Sequence, residues 1–282
     1  MTAEPTAPGD SRAGRFARDT QVRRIAEGVW EGEFSPDWNI GQAPNGGYAL
    51  AVGARALAAA LPHPDPMVVT AYYLRRPAPG PVRCEVEPLR VGKATSSGMV
   101  RMLQDGATVI QLLGTCSDLA ANRGASHCAV PIPGMPVYED CLDIPRADNI
   151  PMHRQLIQRM APEHVRALAG APAEPADRAR WLGWTRFADG APIDLFGLLL
   201  FADAMPPPAF ALYGAEGWVP TLELTVQLHA HPAPGPLRFC FESPLISNGL
   251  VDEDGWLWDG EDRLVALVRQ TAKLRTRPRG GI

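Results

Sequence analysis

The sequence predicts an α+β protein made of two fused, similar units, each an antiparallel sheet wrapped around one central apolar helix. Three observations carry that expectation. First, residues 70–87 (TAYYLRRPAPGPVRCEVE) align without a gap on residues 225–242 (TVQLHAHPAPGPLRFCFE), with eight of eighteen positions identical. An offset of 155 residues is the size of a domain, not the short period of a solenoid or propeller. Second, each half holds one helix-length run that is apolar nearly all round. Third, each run is followed by segments of alternating apolar and polar residues separated by turn signals.

A chain of 282 residues is long enough for two domains with separate cores. A net charge of −4 and the lack of a basic run interleaved with aromatics argue against nucleic acid as a partner. The opening stretch MTAEPTAPGDSRAGRFARD has no apolar core of a signal peptide, and no apolar run reaches the roughly 18 residues of a membrane span. No membrane span and a cytoplasmic location are therefore expected. The five cysteines, Cys84, Cys116, Cys128, Cys141 and Cys240, are odd in number and lack CxxC spacing, so reduced thiols are expected in place of a disulfide framework or a zinc site. The six histidines form no ligand cluster, and no metal is expected.

In the first half, residues 48–61 (YALAVGARALAAAL) form the expected helix, bracketed by Asn45-Gly46-Gly47 and Pro62. Strands are expected at 68–74, 82–90, 96–103 and 108–116, the last two joined at Asp105-Gly106, a strong hairpin signal. Val82, Cys84 and Val86 alternate with polar residues as Leu237, Phe239 and Phe241 do, so both copies of the repeat read as half-buried strands. In the second half, residues 195–205 (LFGLLLFADAM) form the helix, closed by Pro206-Pro207-Pro208. Strands follow at 220–229, 237–242, 249–259 and 263–274, with Asp259-Gly260 at the turn position of Asp105-Gly106. The units are assigned to 20–120 and 181–277. Residues 121–180 are the connection, whose portion MHRQLIQRMAPEHVRALAG is expected to form short helices.

Few residues stand out chemically. Asp203 is the only charge in the second helix and lies near its C-terminal end, where the helix dipole disfavours an anion. It reads either as a solvated helix end or as a carboxylate held at the core to orient or deprotonate something. Gln270 follows an apolar strand run, and the first half has Gly114 near the corresponding place. A polar residue on a strand is usually solvent-facing, but the lost symmetry suggests divided labour. Thr221 opens a strand and could offer a hydroxyl to the same pocket, although threonine is an ordinary strand former. Asn45-Gly46-Gly47 is either a plain helix entry or a site whose free N–H groups polarise a substrate oxygen. The chain has no GxGxxG, no GxxxxGK[ST] and no GxSxG, so neither a dinucleotide fold, a P-loop nor a hydrolase nucleophile elbow is supported.

Taken in order, PNGGYALAVGARAL, VVTAYYLRRPAPGPVRCEVEPLRVGKATSS and LQDGATVIQLLGT, then LLLFADAMPPPAF, PTLELTVQLHAHP and LVALVRQTAKLR, resemble the TesB-like acyl-CoA thioesterases of the thioesterase II type. That family carries two hotdog domains in one chain, which matches the duplicated helix-and-sheet unit. The resemblance implies that Asp203, Thr221 and Gln270 together hold the hydrolytic water. It also implies an acyl-CoA substrate and no metal or redox cofactor. One departure concerns the Asp-His pair that follows the Thr in family members, where this chain has Glu223-Leu224. The expected activity is hydrolysis of an acyl-CoA to free acid and CoA, with Asn45, Gly46 and Gly47 at the substrate carbonyl. The alternatives are a non-catalytic acyl-CoA binding module and a hotdog hydratase or dehydratase. Fusing two units satisfies the usual edge-to-edge pairing within one chain, and a homodimer is a further expectation.

Overall fold

The computed structural model describes residues 14–170, 178–215 and 218–275. The first half contains α1 (Arg15–Asp19), β1 (Arg23–Ala26), β2 (Val29–Phe34), a small ribbon of β3 (Asn39–Ile40) and β4 (Ala43–Pro44), then α2 (Gly46–Ala60). It continues through β5 (Asp65–Tyr73), β6 (Gly80–Val91), β7 (Thr95–Gln104) and β8 (Ala107–Ser117). The second half contains β9 (Leu142–Asp143), β10 (Leu156–Met160), α3 (Pro162–Leu168), β11 (Arg180–Phe187), α4 (Leu195–Phe201) and α5 (Phe210–Tyr213). It ends with β12 (Thr221–Leu228), β13 (Leu237–Ser247), β14 (Leu250–Trp258) and β15 (Leu264–Lys273).

Thirteen of these strands form one antiparallel sheet in the order β1-β2-β6-β7-β8-β5-β12-β15-β14-β13-β11-β10-β9. Reading outward from its centre gives the same order twice: β5, β8, β7, β6, β2 and β1 on one side match β12, β15, β14, β13, β11 and β10 on the other. The duplication seen in the sequence is thus a local two-fold in space. Its axis passes where Thr70 sits opposite Thr225 on β5 and β12, residues 155 apart that begin the two repeats. Their hydroxyls share a hydrogen bond of 2.8 Å.

α2 packs against β2, β5, β6, β7 and β8, and α4 against β5 and β12, in one shared core. α2 carries Tyr48, Leu50, Val52 and Leu57, all fully buried, and α4 carries Leu198, Leu199, Leu200 and Phe201 in the same core. Alternation along the strands supplies the facing layer: Val82, Cys84, Phe239 and Phe241 are buried, as their parity predicts. The hairpin at Asp105-Gly106 has the two positive φ angles, 49° and 76°, of the turn that suits strand twist. Asp259-Gly260 occupies the matching turn position but opens a longer loop. There the Asp259 carboxylate accepts from the amides of Glu261 and Arg263, both at 3.0 Å.

Two expectations need correction. The middle of the stretch expected to form short helices is strand β10, because Leu156, Gln158 and Met160 alternate inward against β11, while short helical turns form on either side of it, a 3-10 turn at Pro151–Arg154 and an α-helix at Pro162–Leu168. Part of the segment expected to connect the halves is therefore built into the sheet. The second helix ends at Phe201, short of Met205: Asp203 N bonds Leu200 O at 3.1 Å in a tightened last turn, and the prolines beyond cannot extend it. Asp203 lies in that turn, not in the helix. Among the described residues, no helix is long and apolar enough to cross a membrane.

Candidate active site

The site is built where the start of α2 meets the end of α4. Asn45 caps α2, its Oδ1 accepting from Tyr48 N at 2.9 Å. The two glycines that follow are required by proximity. A Cβ on Gly47 would stand 2.5 Å from Leu199 O and 2.8 Å from Leu200 O, and one on Gly46 would stand 2.7 Å from Asp203 Oδ2. Any larger residue would push the helices apart.

This contact resolves the puzzle of an anion at a helix C-terminus. The Asp203 carboxylate lies against the N-terminus of α2, whose dipole favours it. Oδ2 accepts from Gly47 N and from Asn45 Nδ2, both at 3.0 Å, and Asn45 Nδ2 also reaches Asp203 O at 2.8 Å. Burial pushes the carboxyl up to about 6, while the amides of Gly47 and Gly46, the Asn45 side chain and the Thr221 hydroxyl pull it down. The net result is a carboxylate that is ionised at neutral pH but basic for its kind.

Thr221 reaches this spot through a β-bulge. On β12, Leu224, Val226 and Leu228 face the core, so strict alternation would turn Thr221 outward. One extra residue, Leu222, is inserted between Thr221 and Glu223 relative to β15, and Thr221 instead faces inward opposite Ala272. Its Oγ1 accepts from Gln270 Nε2 at 3.0 Å. Gln270, 5% exposed, sits on the inner face of β15 between Leu224 and Glu253 in register.

The structure therefore brings all six sequence-predicted residues to one place. Asn45, Gly46, Gly47 and Asp203 form one hydrogen-bonded group, Thr221 and Gln270 a second, and Thr221 joins the two. The amides expected to be free for a substrate oxygen face the Asp203 carboxylate. Glu223, at the departure from the family pattern, points to the outer face and accepts from Thr225 Oγ1 at 2.5 Å. Leu224 is fully buried on the inner face.

Two further residues escaped sequence reading. Tyr73 donates its hydroxyl to Gly46 O at 2.9 Å, and burial, followed by the nearby Asp203 and Glu223 charges, holds its phenol well above the usual range. Glu253 is 7% exposed on β14, and its carboxyl is held well above its ordinary range by burial first, then by Asp203 and Asp254. The signal for Glu253 was present in the sequence: Val251, Gly255 and Leu257 share its strand parity and are all buried.

Residues 34–117 match the family model for the acyl-CoA thioesterase N-terminal domain, and residues 138–274 match that for the acyl-CoA thioesterase C-terminal domain. A crystal structure from Thermobifida fusca, described as that of a candidate thioesterase II, is 30% identical, covers 93% of this chain and 97% of its own, and superimposes with a TM-score of 0.85. An acyl-CoA thioesterase II from Mycobacterium marinum is 17% identical with a TM-score of 0.73, over 93% of this chain and 99% of its own, a likeness of fold. An uncharacterised protein from Mycobacterium tuberculosis is 29% identical over 272 residues, 86% of this chain and 90% of its own.

Proposed function

This chain belongs to the acyl-CoA thioesterase family, in the double-hotdog form, and from that premise we propose that it hydrolyses an acyl-CoA to free acid and CoA using a water positioned by Asp203, Thr221 and Gln270. The observation that supports this reading is the buried Asp203 carboxylate, held by Gly47 N and Asn45 Nδ2 beside the hydrogen-bonded Thr221–Gln270 pair.

A thioester is already an activated acyl donor, so the protein needs to place a water and stabilise the developing oxyanion. Asp203 takes a proton from the water as its oxygen attacks the carbonyl carbon. The C–S bond then breaks, and the same proton passes to the departing thiolate. Thr221 and Gln270 fix the water's position. Gly46 and Gly47, whose amides hold the carboxylate, border the same spot, and a thioester carbonyl arriving there would share those donors with Asn45 alongside.

The test is hydrolysis of short, medium and long acyl-CoA substrates by the wild type and by Asp203→Ala, with product acid measured by chromatography. A drop of roughly 10² to 10⁴ in rate is expected for the variant. Wild-type turnover by Asp203→Ala would remove Asp203 as the base. Saturable acyl-CoA binding with no acid released by either protein would establish a binding module instead.

A further inference from the structure

The hydrogen bonding of Gln270 is incomplete. Its Nε2 is used on Thr221, but its Oε1 is buried and has no partner among the described residues. A bare buried carbonyl oxygen calls for an explanation. Turning the amide over does not supply one. Thr221 carries a single hydroxyl proton, and the Asp203 carboxylate, which only accepts, takes it. Thr221 Oγ1 must then accept from Gln270, which fixes Nε2 on that side and Oε1 on the other.

The inner face of the sheet shows what lies beside Oε1. Ala71, Leu224, Gln270 and Glu253 form one row across four strands. Leu224 offers no donor. Glu253, directly opposite Gln270, has its Cβ about 4.5–5.5 Å away by the geometry of such pairs. The charges acting on Glu253 are both negative: Asp203 within the site, and its strand neighbour Asp254, which is paired with Arg269 at 3.0 Å. Burial and these two anions favour the protonated form of the Glu253 carboxyl, which has an O–H to give.

We infer that the Glu253 carboxyl donates a hydrogen bond to Gln270 Oε1, completing a one-way chain from Glu253 to Gln270, to Thr221, to Asp203. Every donor in the chain then points toward the base. Two acids share the site, one ionised and one neutral, and their different surroundings separate the roles. Glu253 is a positioning residue: it orients the Gln270 amide and does not meet the substrate. The inference rests on the proposed hydrolytic role of Asp203, Thr221 and Gln270, but its decisive measurement does not.

That measurement is infrared spectroscopy of the wild type and Glu253→Gln at pH 8. The wild type should show the carbonyl stretch of a protonated carboxylic acid, and Glu253→Gln should lack it. Steady-state kinetics on the best acyl-CoA supply the second arm. Glu253→Leu should lower kcat about tenfold with little change in KM, as expected for one lost hydrogen bond. Glu253→Gln, whose amide N–H can serve the same Oε1, should recover most of that loss. Identical infrared spectra, or wild-type kcat in a folded Glu253→Leu, would overturn the inference. A wild type that hydrolyses nothing yet shows the band would sink the thioesterase reading and keep the protonated Glu253.

Discussion

In the second half, Thr221, Glu253 and Gln270 share the inner face of the sheet, whereas the first half, read through the sheet register, has Pro66, Gly98 and Gly114 at those positions. The bulge that turns Thr221 inward has its counterpart at Pro66, so the backbone is the same. What differs is the filling. α2 runs to Ala60, and its Leu57 covers both glycines: a Cβ on Gly98 would lie 2.9 Å from Leu57 Cδ1, and one on Gly114 would lie 2.6 Å from Cδ2. α4 stops at Phe201, and the turn that follows delivers Asp203. Asp203 and Ala54 each lie nine residues beyond the N-cap of their helix, so the buried carboxylate of one half is a methyl group in the other. One scaffold yields a packed core or a polar site according to where its helix ends.

That contrast can be broken from either side. Leu57→Ala should empty the packed half and lower stability by about 2–5 kcal/mol, read by urea unfolding, while the folded protein keeps its kcat. Gln270→Gly, which copies the first half into the second, should leave the fold in place and lower kcat about 10²-fold, read in the acyl-CoA assay. Gly114→Ala should cost about 1–3 kcal/mol by overpacking against Leu57, again with kcat unchanged. If Gly114→Ala instead reduced kcat as Gln270→Gly does, the division of labour would be wrong.

The smallest effect concerns pH. The Asp203 carboxyl is raised to about 6, so kcat/KM for the free enzyme should climb as pH rises through about 6 and level off above it. Asn45→Ala removes a donor that favours the ionised form. The carboxyl then holds its proton to higher pH, and the rising limb should move upward. A limb that stays in place would mean that another group controls the profile.

Much of this was legible in the sequence because the duplicated segment and the apolar runs report directly on burial. The eight strands expected after the two helices all form, with ends shifted by a few residues. β10 escaped because LIQRM is too short to separate strand from helix by period alone. Asp203 stood out as a lone charge beside an apolar run. Asn45, Gly46 and Gly47 stood out as well, but their pairing with Asp203 did not, since Asn45 and Gly47 are 158 and 156 residues away and only the meeting of two helices brings them close. Nothing in the spacing of Tyr73, one of two adjacent strand tyrosines, marks it out. Glu253 was hidden among Asp252 and Asp254, where an acidic run reads as a solvated face until alternation is applied.

The seam between β5 and β12 has a consequence for how the protein is assembled. Asn45 and Gly47 come from one side of that seam and Asp203 from the other, so neither half owns the complete hydrogen-bonded group. If the two halves were supplied as separate chains, turnover would follow the encounter of unlike fragments. The rate would rise with the product of their concentrations and saturate once every seam had closed. Fusion fixes that encounter at the effective concentration of a single polypeptide, so each molecule carries its own partner at any dilution.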